Sequence, residues 1–136
     1  EKLISPHPNY VTRRGLELIE AEVQRLSKLY AEAQASGERA ALAETARDLR
    51  YWTARRSSAE VVDPRPGSGE VLFGATVTLE REDGKRQTWR IVGEDEADPK
   101  AGTLSYVSPL ARALAGKSEG DAVEIGGRQA EIIAIA

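Results

Sequence analysis

The sequence predicts an α+β chain in which an N-terminal antiparallel two-helix coiled coil precedes a small antiparallel sheet domain with one short helix. Three observations predict it. Apolar residues recur at alternating spacings of three and four across residues 12–59. After residue 70 the period falls to two. Between the patterns lies Asp63-Pro64-Arg65-Pro66-Gly67-Ser68-Gly69, whose prolines and glycines exclude both helix and central strand. The expected division is residues 1–66, an N-terminal segment with the hairpin, and residues 67–136, a second domain.

The first ten residues hold Pro6 and Pro8 around His7, the only histidine, and these prolines force an extended path. His7 is assigned no role. Thr12 is the expected N-cap of the first arm, with Arg13 and Arg14 at a helix start where the dipole does not favour cations. In that arm Leu16, Ile19, Val23, Leu26, Tyr30 and Ala33 form a seam, while Glu17, Glu20, Glu22, Arg25, Lys28 and Glu32 dress the outer face. Ser36-Gly37 breaks the helix. In the second arm Leu42, Thr45, Leu49, Trp52 and Arg56 continue the seam, and Arg47, Arg50, Arg55 and Arg56 make its lower part basic, read as a solvated face with a surface for an acidic partner as the alternative. Each arm is about 35 Å long at ~1.5 Å per residue. Ala40, Ala41, Ala43 and Ala46 near the tip, against Leu49, Tyr51 and Trp52 near the base, predict a finger that narrows outward.

Val61-Val62 is expected to pair with or pack on the segment that follows it. Beyond the junction, Val71, Phe73, Ala75, Val77 and Leu79 alternate with their neighbours as a half-buried strand in which Gly74 marks a bulge. Glu82-Asp83-Gly84-Lys85 suits a type I′ hairpin turn, and Arg86 to Val92 returns. An acidic loop ends at Asp98-Pro99. Strand 103–107 leads to a short helix with Ser108 as N-cap, Pro109 at the first position and Gly116 as the stop. A last hairpin turns over Gly126-Gly127.

Composition narrows the function classes. With no Cys among 136 residues, neither a disulfide framework nor a thiolate metal site is possible. No apolar run approaches the ~20 residues of a membrane span, so a soluble cytoplasmic protein is expected. Net charge is −3, split as +1 over residues 1–66 and −4 over 67–136. Direct binding to nucleic acid is disfavoured, and DNA or RNA would be met only through another protein. No phosphate-binding Gly loop comes after a strand and no metal-ligand spacing occurs, so an independent enzyme is not expected and no cofactor is implied. A hairpin that satisfies its own seam favours a monomer.

The phrases Leu72-Phe73-Gly74-Ala75-Thr76-Val77, Arg90-Ile91-Val92-Gly93-Glu94-Asp95-Glu96-Ala97-Asp98 and Ser108-Pro109-Leu110-Ala111-Arg112-Ala113-Leu114 with Gly116-Lys117 resemble the C-terminal domain of the GreA/GreB family of bacterial transcript-cleavage factors. The resemblance implies an FKBP-like second domain that docks at the rim of the RNA polymerase secondary channel, with the coiled coil reaching down the channel. By motif match, Asp98, Ser108, Pro109 and Leu110 would face the polymerase. The coiled-coil tip is Ser36, Gly37, Glu38 and Arg39. There, cleavage-promoting relatives carry an acidic pair in a Gly-Asp-Leu-Lys-Glu-Asn-like phrase that helps hold the polymerase's second Mg²⁺. Here the phrase is Gly37-Glu38-Arg39-Ala40-Ala41-Leu42: Glu38 matches the first acid, and Ala41 stands in place of the second. Both arms are also shorter by roughly two turns, a shortfall of about 10 Å.

One carboxylate holds Mg²⁺ poorly, because the ion keeps its waters unless several oxygens converge. Three readings stand. In the first, the chain is a regulator that binds RNA polymerase at the secondary channel and modulates elongation without supplying metal ligands. In the second, Glu38 with Glu32 or Glu44 makes a rearranged acidic tip that still promotes cleavage. In the third, the chain is a chaperone-like interaction module outside transcription.

Overall fold

A computed structural model describes residues 1–136 as two compact units, Glu1–Val61 and Val62–Ala136. The first contains β1 (Tyr10–Val11), α1 (Arg13–Ser36), α2 (Arg39–Ser58) and β2 (Glu60–Val61). Thr12 caps α1, its Oγ1 accepting from the Gly15 N–H at 3.0 Å. Ile19, Val23, Leu26 and Ala33 are buried as one stripe, the consequence of their three-and-four spacing. At Gly37 the backbone turns left-handed (φ 72°) and its N–H donates to the Ala33 carbonyl at 3.0 Å, ending α1.

Two expectations for this unit need correction. Arg56 is exposed, whereas Arg55, expected on a solvated face, is 1% exposed. The alanines of α2 leave its apolar face ill-defined, and the side chain that turns inward is the one with a partner waiting. Asn9 supplies that partner: Arg55 Nη2 donates to Asn9 Oδ1 at 2.8 Å, and Asn9 Nδ2 donates back to the Arg55 carbonyl at 2.8 Å. Val61, moreover, pairs with the segment N-terminal to the hairpin. β1 and β2 run parallel, Tyr10 opposite Glu60 and Val11 opposite Val61, so the two ends of the hairpin are tied across its base.

The second unit holds β3 (Thr76–Arg81), β4 (Arg86–Val92), β5 (Thr103–Ser105), α3 (Pro109–Leu114), β6 (Ala122–Ile125) and β7 (Arg128–Ile135), in sheet order β5-β4-β3-β7-β6. Val77, Leu79, Ile91, Leu114 and Ile132 form the centre of its core. The sheet is mixed: β4 and β5 pair in parallel, with Ile91 opposite Leu104. Hydrophobic alternation does not encode strand direction. The ten residues between these strands, including a 3₁₀ turn at Pro99–Ala101, return the chain for a parallel pairing.

The strand expected from residue 70 begins only at Thr76. Val71 is buried as its alternation requires, but it exchanges backbone hydrogen bonds with Gly116 and Lys117, and Gly74 takes a left-handed φ of 86° in the turn before β3. The bulge lies elsewhere. Thr78 faces Ala134 and Leu79 faces Ile132, leaving Ile133 as the extra residue of β7. The β3–β4 turn is not type I′, since that geometry needs a positive φ at Asp83 and only Gly84 has one, at 82°. The Gly84 N–H donates to the Arg81 carbonyl and the Arg81 N–H to the Lys85 carbonyl, a type I turn closed by a glycine bulge. The expected fifth strand is shorter, ending at Ser105.

Candidate functional site

At the hairpin tip, Ser36, Gly37, Glu38 and Arg39 are all exposed. The Ser36 hydroxyl donates to the Ala33 carbonyl at 3.2 Å, and Glu38 occupies the N-cap of α2 with extended backbone. Its side chain makes no cap hydrogen bond there, because Glu is one methylene too long for the short N-cap geometry. The carboxylate is therefore displayed and not consumed by the helix it precedes.

Glu38 borders a groove along one side of the hairpin together with Glu32 and Glu44, the two acids that could form a rearranged tip. No three acidic side chains converge closely enough to hold a metal ion. Glu44 is six residues beyond Glu38 on α2, a rise of about 9 Å, which is too far for a shared ion. The residues at the tip thus do not fit a self-contained Mg²⁺ site.

Further down the hairpin two ion pairs are formed. Arg25 Nε donates to Glu22 Oε2 at 2.8 Å, and this hydrogen bond holds the Glu22 carboxyl below its ordinary range and pushes the Arg25 guanidinium up. Arg50 Nη2 reaches Glu1 Oε1 at 2.8 Å, with the same effect on Glu1. Lys2 sits 4.2 Å from the Tyr51 ring centroid, so the N-terminal segment lies along α2.

In the second unit, Asp98, Ser108, Pro109 and Leu110 bracket one edge strand. Asp98 closes the N-terminal end of β5: its Oδ1 accepts from the Lys100 N–H at 3.2 Å, its carbonyl from Ala101 and Thr103, and its own N–H donates to Thr103 Oγ1 at 2.7 Å. Ser108 closes the C-terminal end, with its N–H donating to the Ser105 carbonyl and its Oγ accepting from the Ala111 N–H at 3.3 Å. Three residues of strand separate these closures, about 10 Å. Asp98 and Pro109 are exposed, Ser108 is half-buried and occupied by capping, and Leu110 packs partly on the core. Within the acidic loop, Glu94, Asp95 and Glu96 are half-buried, and Glu96 Oε2 accepts from the Gly93 N–H at 3.1 Å. Glu96 and Asp98 thus bind the loop's own backbone. Sequence reasoning gives no role to Asp48, which lines the hairpin groove; its signal is a carboxylate four residues after Glu44 on one helical face.

A sequence model of the family described as "Transcription elongation factor, GreA/GreB, C-term" matches residues 66–136. The chain is 39% identical to transcription elongation factor GreA of Verminephrobacter eiseniae over 150 positions, covering 92% of this chain and 95% of the relative. It is 41% identical to GreA of Alkalilimnicola ehrlichii, with the same coverage of each. Among solved structures, the GreA factor homolog 1 protein of Thermus thermophilus is 26% identical with a TM-score of 0.46, covering 96% of this chain and 99% of that one. In the first alignment 150 positions meet 92% of 136 residues, about 125, so about 25 positions of that relative have no counterpart here.

Proposed function

Because the chain belongs to the GreA/GreB family of transcription elongation factors, we propose that it binds bacterial RNA polymerase at the secondary channel and modulates elongation there without efficient stimulation of transcript cleavage. In this reading the segments at the two ends of β5 meet the channel rim through Asp98 and Pro109, with Ser108 and Leu110 holding that surface in shape. The hairpin enters the channel and acts by occupying it or by excluding other ligands.

The observation that carries the reading is the tip. A two-metal mechanism needs carboxylates that converge on the second ion. Glu38 is the single displayed acid of the tip turn, and Ala41 stands where the second acid of the pair would be. Arms of 24 and 20 residues support a short finger. The chain would act as an accessory factor, contributing no catalytic group of its own, and would meet DNA and RNA only through the polymerase.

The test is transcript length on a gel, using backtracked elongation complexes of bacterial RNA polymerase with Mg²⁺. The expected result is an unchanged transcript with this protein alone, and slower cleavage when it competes with a cleavage-active GreA. Shortening of the transcript from its 3′ end would replace this reading with one in which Glu38 still delivers a metal ligand.

A further inference from the structure

A groove of about 600 Å³ runs along one side of the hairpin between α1 and α2. Between its charged residues it is lined by Leu26, Leu29, Ala33 and Ala41 together with Ser36 and Thr45, and the α2 residues among these are small. Leu29 is left 38% exposed by this arrangement. Along the groove stand the carboxylates of Glu32, Glu38, Glu44 and Asp48. The one cation lining it, Arg25, pairs with Glu22 and also feels the Asp48 charge, so four carboxylates line the groove against one guanidinium that is shared with Glu22.

The spacing of these acids separates the candidate occupants. On α2 they stand at residues 38, 44 and 48, intervals of about 9 and 6 Å along the helix. A metal ion needs ligands within a few ångströms of one point, and no three acids here converge so closely. Nucleic acid would be repelled by the same charge. A second helix fits, because cations four residues apart on a helix also repeat every ~6 Å and an aliphatic stripe beside them would meet Leu29 and Ala41.

We propose that this groove is a docking surface for a basic amphipathic helix of a partner protein, with Arg or Lys side chains pairing with Glu44 and Asp48 and aliphatic side chains seated against Leu29 and Ala41. This goes beyond the reading of the chain as a polymerase ligand and stands whether or not the partner is polymerase.

The test is fluorescence anisotropy of a labelled synthetic helical peptide carrying Arg every fourth residue beside a Leu stripe, titrated with the full chain. The control is the same peptide with Glu for Arg. Binding of the Arg peptide is expected, weakened about tenfold by Glu44→Gln/Asp48→Asn, variants that keep side-chain size and the helix, with no binding of the Glu peptide. Charge reversal, Glu44→Lys/Asp48→Lys, should abolish it while far-UV circular dichroism stays unchanged. No binding of the Arg peptide, equal binding of the two peptides, or binding indifferent to the Gln/Asn variant would overturn the proposal.

Discussion

Asn9 and Arg55 hold each other twice, the amide oxygen accepting from the guanidinium and the amide nitrogen donating to the arginine's own carbonyl, both at 2.8 Å. A buried guanidinium is tolerable only when its donors are matched. Asn9 also donates to Ser58 Oγ at 3.1 Å, so one amide fixes both the side chain and the last turn of α2. Together with the β1–β2 pair, this ties the two ends of the hairpin at its base.

Asn9→Ala is therefore expected to destabilise the protein by about 2–3 kcal/mol, because it strands a charged donor in a closed site. Arg55→Ala should cost at least as much, and Arg56→Ala no more than about 0.5 kcal/mol. Urea denaturation of the three variants checks this. Equal effects for Arg55 and Arg56 would mean that the guanidinium is not held as described.

At the second unit, a Cβ on Gly74 would lie 3.3 Å from the Pro64 Cα and Cγ, whereas one on Gly84 would meet nothing within 4 Å. Both glycines have positive φ, at 86° and 82°. Gly84→Ala should cost about 1 kcal/mol from the backbone alone. Gly74→Ala should cost up to about 1 kcal/mol more, because Pro64 must give by a few tenths of an ångström to admit the methyl. Thermal melts of the two variants measure the difference, and its absence would show that Pro64 does not pack on the turn.

Much of this architecture is legible because it is written in period. The three-and-four spacing from Leu16 to Ala33 and the alternation around Val77 and Leu79 place buried faces directly. Capping is equally legible at Thr12 and Ser108, where the hydroxyl bonds form as their residue types suggest. Failures fall where period carries no information. In α2 alanine occurs on every face, so a seam read from spacing slips by one residue, to Arg56 in place of Arg55. Asn9 lies 46 residues from Arg55, and no local rule joins them. Strand direction is likewise absent from alternation, hence the missed parallel pairing of β4 with β5. At the tip, Glu38 is found by its phrase, but the groove formed by Leu29, Ala41 and Asp48 needs both helices placed before it exists.

The Glu22–Arg25 pair predicts a pH signature. Arg25 holds the Glu22 carboxyl below its ordinary value of 4.5, so the pair's contribution is fully present above that value and is lost as pH falls through the lower folded one. The melting-temperature gap between wild type and Glu22→Gln should be constant from pH 7 to pH 5 and shrink as the pH falls below 4.5. It should also shrink with added salt, since the arginine side chain is 56% exposed. A gap that widened on acidification would reverse the assigned sign.

Glu38 joins stability and function in opposite senses. An N-cap favours Ser, Asp or Asn, whose short side chains reach the free N–H groups of the first turn, and Glu38 makes no such bond. Glu38→Ser should then stabilise the hairpin by about 0.5–1 kcal/mol while removing the only displayed carboxylate of the tip turn. Ala41→Glu tests the other half of the argument. It adds a second acid three residues on, one turn along the same face, about 5–6 Å away. If the missing acid alone limited cleavage, this variant would shorten transcripts in backtracked complexes. If the arms are also too short, it would not, and the proposed function expects that second outcome. Wild type, Glu38→Ser and Ala41→Glu would then compete equally well with a cleavage-active GreA. Competition lost in Glu38→Ser would show instead that the carboxylate contacts the polymerase itself, and the displayed acid would be a binding group at the end of a finger that blocks.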